Sequence, residues 1–288
     1  MARSISGIGL GLRKPFARDL LATTRRGPDW LEVTPENWVF FGGKLRRTLD
    51  AARERFALVP HSVSLSIGGP DALDDALIGA VAKLCEVAQA PFWSDHLCYS
   101  TVNGAPLHDL LPLPFTLEAV EHVAARAAEV RRRAGVPLVL ENATFYAHMP
   151  GAGARGDMDE GEFLLRVVQA SECDLLLDVN NVWVNAQNHG FDARAFIDRM
   201  PLDRVRQLHV AGHTPKDGVI IDTHIGPIID PVWDLYRYTL QRAGRLIPTL
   251  VEWDQEIPAL DVVLDEVDRA RAEAEKALGP GADQKGAG

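Results

Sequence analysis

Cysteine is scarce: the 288 residues hold three, Cys85, Cys98 and Cys173, odd in number, far apart and without a C-x-x-C pair. A disulfide scaffold and a cysteine-ligated zinc site are both excluded on that ground. No run of eighteen apolar residues occurs, so no segment is expected to span a bilayer. The N-terminal Met-Ala-Arg-Ser-Ile-Ser-Gly carries one basic residue and no long apolar stretch, which is not a secretory signal, and a cytoplasmic location is expected. Positive charge is in deficit, with 30 Lys and Arg against 40 Asp and Glu and a formal net charge of −10. Affinity for nucleic-acid phosphates rests on Lys and Arg, so no nucleic-acid partner is expected. The phosphate-binding G-x-x-x-x-G-K-[ST] and the nucleophile-elbow G-x-S-x-G are also absent.

What is present is an alternation of short apolar runs with longer segments of helical period. Strands are predicted at Ile5–Leu10, Trp30–Val33, Ala57–Pro60, Phe92–Ser94, Leu138–Leu140, Leu175–Leu177, Val205–Leu208 and Thr249–Val251. Between them Leu77, Val81, Leu84 and Ala88 share one helical face, as do Leu260, Val263, Leu264, Val267 and Ala270. Thr116 precedes a helix predicted over Leu117–Arg133, and Asp230-Pro231 reads as an N-cap followed by proline. Apolar strands alternating with helices, eight times in about 270 residues, predict a single (β/α)8 TIM barrel. The barrel domain is expected over residues 1–278, with a Gly- and Ala-rich disordered tail at 279–288 and a Gly-rich loop at Gly151–Asp157. Gly7-Ile-Gly-Leu-Gly11 lies inside the first strand, where it reads as barrel closure rather than a dinucleotide loop.

In such a barrel the chemistry sits at the C-terminal ends of the strands. Seven consecutive strands end on ionisable residues: Glu32, His61, Asp95-His96, Glu141, Asp178, His209 and Glu252, separated by 29, 35, 45, 37, 31 and 43 residues. A single buried His or Glu is usually structural. Seven at one mouth, with Lys and Arg nearly absent from these positions, would be costly without a cation, and a metal cluster satisfies them most simply. Asp222-Thr-His224, read as extended, sends both side chains to one side, and Asp178-Val-Asn-Asn181 offers a carboxylate and an amide within one turn. Imidazole and carboxylate without thiolate leaves iron, manganese and zinc open, and Glu141 is placed to bridge two ions.

Other residues weigh less. His213 is a candidate catalytic residue, and Asp254 and Asp95 are candidates for orienting imidazoles. His189 is a lesser candidate for a reserve ligand or a substrate contact, His122 reads as a solvated surface residue, and His108 and His148 fall in loops. Glu36-Asn37 reads as a cap, and Glu32 stays undecided. Ser62, Ser64 and Ser66 read as satisfying backbone, and Cys85 and Cys98 as small buried hydrophobes.

Several strings occur in order: Gly9-Leu-Gly-Leu-Arg13, His61-Ser-Val-Ser-Leu-Ser66, Ser94-Asp-His-Leu97, Asp109-Leu-Leu-Pro-Leu-Pro114, Leu140-Glu-Asn142, Leu177-Asp-Val-Asn-Asn-Val182, Leu208-His-Val-Ala-Gly-His213, Asp222-Thr-His224 and Glu252-Trp-Asp254. Together they resemble the multinuclear non-haem iron-dependent oxidase family over roughly residues 5–270. The resemblance implies two to three iron ions in mixed ferrous and ferric states, dioxygen as co-substrate, and oxidation of cysteine in a ribosomally made precursor peptide. It also implies a small partner protein that recruits the peptide's leader in many members. Position by position, it puts one iron on His61 and His96 with Glu141 as the bridge, and a second on Asp178, His209 and Glu252 beside Glu141. A third, more labile ion falls to Asn181, Asp222 and His224. It further implies a ferric ion that binds the cysteine as thiolate and hydrogen abstraction from the cysteine β-carbon.

Two related barrels are rivals. A three-zinc phosphodiesterase of the endonuclease IV type fits the His–Glu–Asp pattern, but the acidic balance suits a DNA groove poorly and Asn181 stands where a His is expected. A two-metal sugar isomerase-like enzyme would bring a lysine to the metals, and none stands at these strand ends. A non-catalytic metal-binding module is disfavoured, since open carboxylate-rich mouths are more often catalytic.

Overall fold

The computed structural model describes residues 2–147 and 158–281. The Gly151–Asp157 loop, His148 and the tail beyond Gly281 lie outside the described residues. The strands are β1 (Ile8–Gly11), β2 (Trp30–Val33), β3 (Ala57–Ser62), β4 (Trp93–His96), β5 (Cys98–Val102), β6 (Ala105–Pro112), β7 (Leu138–Glu141), β8 (Asp174–Asp178), β9 (Val205–Ala211), β10 (Thr214–Lys216), β11 (Val219–Ile221) and β12 (Thr249–Glu252). Eight of them close in the order β1-β12-β9-β8-β7-β4-β3-β2, and every neighbouring pair in the ring is parallel. Among the described residues each barrel strand leads to at least one of nine α-helices: α1 (Ala17–Ala22), α2 (Gly43–Arg55), α3 (Asp75–Ala88), α4 (Leu117–Ala134), α5 (Glu160–Ser171), α6 (Val179–His189), α7 (Ala193–Arg199), α8 (Asp230–Ala243) and α9 (Leu260–Leu278). The chain is therefore a (β/α)8 TIM barrel. No helix among the described residues is long and apolar enough to cross a membrane.

The predicted strands are found in place, but most run one to three residues further towards their C-terminal ends, and the first is Ile8–Gly11 rather than Ile5–Leu10. The extension takes in His61, His96, Glu141, Asp178, His209 and Glu252, so the candidate ligands are strand residues held by the ladder. Two antiparallel hairpins, β5–β6 and β10–β11, interrupt the loops after β4 and β9 and were not expected. The α8 helix begins at Asp230 itself, with Ile229 at the cap position, one residue earlier than Asp230-Pro231 suggested. Thr116 caps α4 as predicted, accepting from the Ala119 amide.

Alternation along each strand sorts the side chains into an outer and an inner set. The outer set joins the helices in one large apolar layer. The inner set begins at the N-terminal end with a closed apolar cluster of Trp30, Val59, Phe92, Val139, Leu176 and Leu250. Gly9 is required here, because a Cβ on it would lie 2.3 Å from the Trp30 indole. The closure reading of the first glycines is consistent with that packing.

Candidate metal centre

Two residues beyond the apolar cluster, the same strands point Glu32, His61, Ser94, Glu141, Asp178 and Glu252 inward, joined by Gln207 and His209 of β9 and His96 of β4. Glu141 lies at the centre. Its Oε2 is 3.2 Å from His61 Nε2 and 3.3 Å from His96 Nε2, while its Oε1 is 3.2 Å from His209 Nδ1. His209 Nδ1 also lies 3.0 Å from Glu252 Oε2 and 4.0 Å from Asp178 Oδ2. The other side of the mouth is formed by His224, whose Nε2 is 2.9 Å from Asp222 Oδ1 and whose Nδ1 is 3.4 Å from Glu252 Oε2. Three overlapping groups could each hold an ion: His61, His96 and Glu141; Glu141, Asp178 and His209; and Asp178, His224 and Glu252. Glu141 and Asp178 each belong to two of them.

Several of these atoms have no aligned hydrogen bond to the protein. Glu141 Oε2, Asp178 Oδ2, Asn181 Oδ1, His209 Nδ1, His224 Nε2 and Glu252 Oε2 are all buried without an aligned hydrogen bond. So many orphaned donors in one place, in a fold that satisfies most buried polar atoms, fit a cation-binding cradle. Burial pushes the Glu141 carboxyl up to about 8 and the Asp178 carboxyl up to about 7, so metal binding must displace protons. Burial also lowers His96 to about 4, leaving it neutral and ready to ligate at pH 7. For His209 burial acts downward, but the Glu141, Glu252 and Glu32 carboxylates outweigh it and hold its pKa well above the ordinary value.

The surrounding bonds aim these atoms. Asn142 clamps the Asp178 backbone, accepting from its amide at 2.8 Å and donating to its carbonyl at 3.1 Å. Asp178 Oδ1 then caps α6 through the Asn181 amide at 2.8 Å, which leaves Oδ2 for the mouth. Asn181 Nδ2 donates to the Asn142 carbonyl at 3.0 Å, so its Oδ1 is the atom left over. His61 Nδ1 meets Ser94 Oγ at 3.0 Å, and His224 Nδ1 meets Asp254 Oδ2 at 3.0 Å. Asp254 thus lies within hydrogen-bond distance of an imidazole. Asp222 is approached by Asn180 Nδ2 at 2.8 Å, and Asn180 Oδ1 meets His213 Nδ1 at 2.7 Å. His213 thus reaches the centre only through Asn180.

Several expectations are corrected. Asp95 orients no imidazole: it accepts from Ser62 Oγ, from the Leu65 amide at 3.2 Å and from the His96 amide at 2.7 Å. It follows Ser94 and precedes His96, so strand alternation turns it outward into the helix layer. The mouth is not free of cations, because Arg13 pairs with Asp254 and lies 3.4 Å from Glu252 Oε1. His224 is not extended but left-handed, with φ of +50°; the turn still returns its ring to Asp222. Gly212 makes room for that turn, since a Cβ there would lie 2.5 Å from the Ile225 and Gly226 carbonyl oxygens. His189 is no reserve ligand but stacks on Phe145 with centroids 4.1 Å apart. His122 is not merely solvated, its Nε2 lying 2.9 Å from the Gly69 carbonyl oxygen. Glu36 caps as expected, with Oε1 accepting from the Val63 amide at 2.9 Å and the Ser64 amide at 3.0 Å. Ser64 and Ser66 are likewise used internally, and the three cysteines are free and buried.

Glu32 and Gln207 were the residues that mattered most and were least expected. Glu32 Oε2 lies 3.0 Å from His209 Nε2 and accepts from Gln207 Nε2 at 2.6 Å. Ser94, Gln207 and Asn180 carried one available signal: each stands two residues before, or one beside, a candidate ligand.

The mouth encloses about 370 Å³, bordered by Arg13, Thr34, Tyr146, Thr223 and Gln255 among others. A larger depression of about 920 Å³ opens at the opposite end of the barrel, by Ser4, Phe92, Arg206 and Arg245, away from every metal-ligating group. The model of the RiPP precursor modification enzyme MbnB/TglH/ChrH matches residues 7–275. The chain belongs to this family. A UPF0276 protein of Acinetobacter baylyi is 46% identical over 254 residues, covering 88% of this chain and 86% of its own length. One from Shewanella amazonensis is 43% identical over 264 residues, covering 91% and 92%. Among solved structures, L-ribulose 3-epimerase aligns with a TM-score of 0.59 at 16% identity over 95% of both chains. The 3-keto-D-glucoside 4-epimerase of E. coli aligns at 0.59 with 13% identity, covering 93% of this chain and 100% of its own. At such identities the structural likeness is one of fold.

Proposed function

We propose that this member of the family is a multinuclear iron-dependent, dioxygen-using oxidase that modifies cysteine residues of a ribosomally made precursor peptide in the cytoplasm. The observation that carries the reading is Glu141, one carboxylate whose two oxygens face opposite ways, Oε2 towards His61 and His96 and Oε1 towards His209. A carboxylate so placed would contribute one oxygen to each of two cations. The candidate donors among the described residues are nitrogen and oxygen only, so a thiolate bound there would be the substrate's. Iron, when bound, supplies the one-electron chemistry by which dioxygen oxidises the cysteine.

The proposed ligands are His61, His96 and Glu141 for one ion, Glu141, Asp178, His209 and Glu252 for the second, and Asn181, Asp222 and His224 for the third, where His224 also groups by distance with Asp178 and Glu252. The chain's own contribution is positional. Asn142 and Ser94 fix ligand directions, and Arg13 holds Asp254 against His224. Asp254 is half-exposed at the rim and kept below the ordinary carboxyl range, since Arg13 and His224 outweigh burial and the repulsion of Glu252. It stays ionised there as the acceptor of the His224 imidazole and the Arg13 guanidinium. His213 acts at one remove, through Asn180 on Asp222. Exposed Phe40, Phe41, Val63, Leu107 and Tyr146 lie in segments that follow the strands' C-terminal ends, where a peptide chain would rest. A small protein that delivers the peptide's leader would meet the same face. Among the described residues the mouth's lining contains no lysine of the kind expected beside the metals of a sugar isomerase.

The test is anaerobic loading with ferrous iron, then air and cysteine-bearing precursor peptides encoded beside the gene, with mass spectrometry of the product. A mass change confined to cysteine supports the reading. Unchanged peptides together with hydrolysis of phosphodiesters by the zinc-loaded protein would overturn it.

A further inference from the structure

Glu32 and His209 lie 177 residues apart in sequence and face each other inside the barrel, both fully buried. Two strands, β1 and β12, stand between them in the ring. On β1 the inward positions are Gly9 and Gly11, and Gly11 is the register partner of Glu32, so β1 itself puts no side chain in the way. Glu32 Oε2 meets His209 Nε2 at 3.0 Å and Gln207 Nε2 at 2.6 Å. Gln207 Nε2 also lies 2.8 Å from His209 Nε2, a contact that is no hydrogen bond when that nitrogen carries the proton, so Gln207 acts through the Glu32 oxygen that both share. If His209 Nε2–H donates to Glu32, the lone pair on Nδ1 is left facing Glu141, Glu252 and Asp178. The other imidazoles are held differently: His61 rests on a serine hydroxyl, and His224 on the rim carboxylate of Asp254. Among the described residues Glu32 makes no salt bridge to Lys or Arg, although the Arg13 guanidinium is near enough to act on it, and its Oε1 has no hydrogen-bond partner. A buried carboxylate so placed gains most when the imidazole it touches is made a stronger donor by a cation on its far nitrogen.

We propose that Glu32 and Gln207 are positioning residues that brace His209 from below the centre, fixing its tautomer and setting the affinity and electronic character of the ion it holds. The inference rests on the metal-centre reading. It is tested with Co(II) alone, titrated into metal-stripped full-length protein under argon, because d–d absorption reports ligand geometry without any turnover. For Glu32→Gln, which keeps the volume and removes the charge, one Co(II) per chain should bind about 10–100-fold more weakly, with an altered visible spectrum. The remaining Co(II) should bind as in the unaltered protein. Wild-type affinities and spectrum in Glu32→Gln would overturn the brace. Should Glu32→Gln fail to fold by circular dichroism, Gln207→Met decides: a several-fold loss for the same ion supports the brace, and no change overturns it. If the unaltered protein binds fewer than two Co(II), the metal-centre reading itself fails, and the brace with it.

Discussion

The barrel interior has two layers drawn from the same strands and opposite in chemistry. The lower layer is Trp30, Val59, Phe92, Val139, Leu176 and Leu250. Two residues further along each chain stand Glu32, His61, Ser94, Glu141, Asp178 and Glu252. Backbone geometry and closure are shared, so the difference is one of side chains alone. In the lower layer each buried apolar group adds about 1.5–3 kcal/mol by leaving water. In the upper layer orphaned carboxylates and imidazoles oppose folding until a cation arrives. Stability is carried below and chemistry above, and the two should respond separately to substitution.

The largest expected effect comes from removing the bridge. Glu141→Ala should lower peptide oxidation by at least about 10³-fold, the rate equivalent of several kcal/mol of metal-derived stabilisation. Elemental analysis should show loss of at least one ion, while the melting temperature of metal-free protein holds or rises. Leu176→Ala, one layer down, should do the reverse. A cavity there costs about 2–5 kcal/mol in denaturant unfolding, with metal stoichiometry at low temperature unchanged. Equal damage to metal content from both substitutions would break the separation.

The smallest effect lies outside both layers. Burial pushes the Glu160 carboxyl, bonded to Asn185 at 3.1 Å, from an ordinary 4.5 up to about 8. The folded chain keeps a proton that the unfolded chain releases, so this contribution is complete below pH 4.5 and is lost as pH rises towards 8. The stability difference between the unaltered protein and Glu160→Gln should therefore fall as pH rises from 5 to 8. A difference that is flat with pH would show that Glu160 does not titrate in this range.

The fold and most of the centre were legible because both follow from short-range rules. Apolar runs alternating with helical segments imply the barrel, and the residue ending each run is the one presented at its mouth. The same rule of two explains the misreading of Asp95. Adjacency to His96 suggested a shared role, whereas adjacency on a strand means opposite faces. Ser94 and Gln207 obey the rule and could have been found by stepping back two residues from His96 and His209. Arg13 could not: its approach to Asp254 depends on β1 closing against β12 across 241 residues. Nor could the role of Glu32, whose partner lies on a strand two places away in the ring. The β5–β6 and β10–β11 hairpins were hidden because short strands within βα loops lack a repeating apolar pattern.

The central claim is that Glu141 joins at least two ions into one electronic unit. Mössbauer spectroscopy of protein loaded anaerobically with ⁵⁷Fe, with elemental analysis of the same sample, tests it most directly. The account predicts two to three irons per chain and, after partial oxidation, an exchange-coupled ferrous–ferric pair that is absent in Glu141→Ala. A single iron per chain, or several that remain magnetically independent, would contradict it.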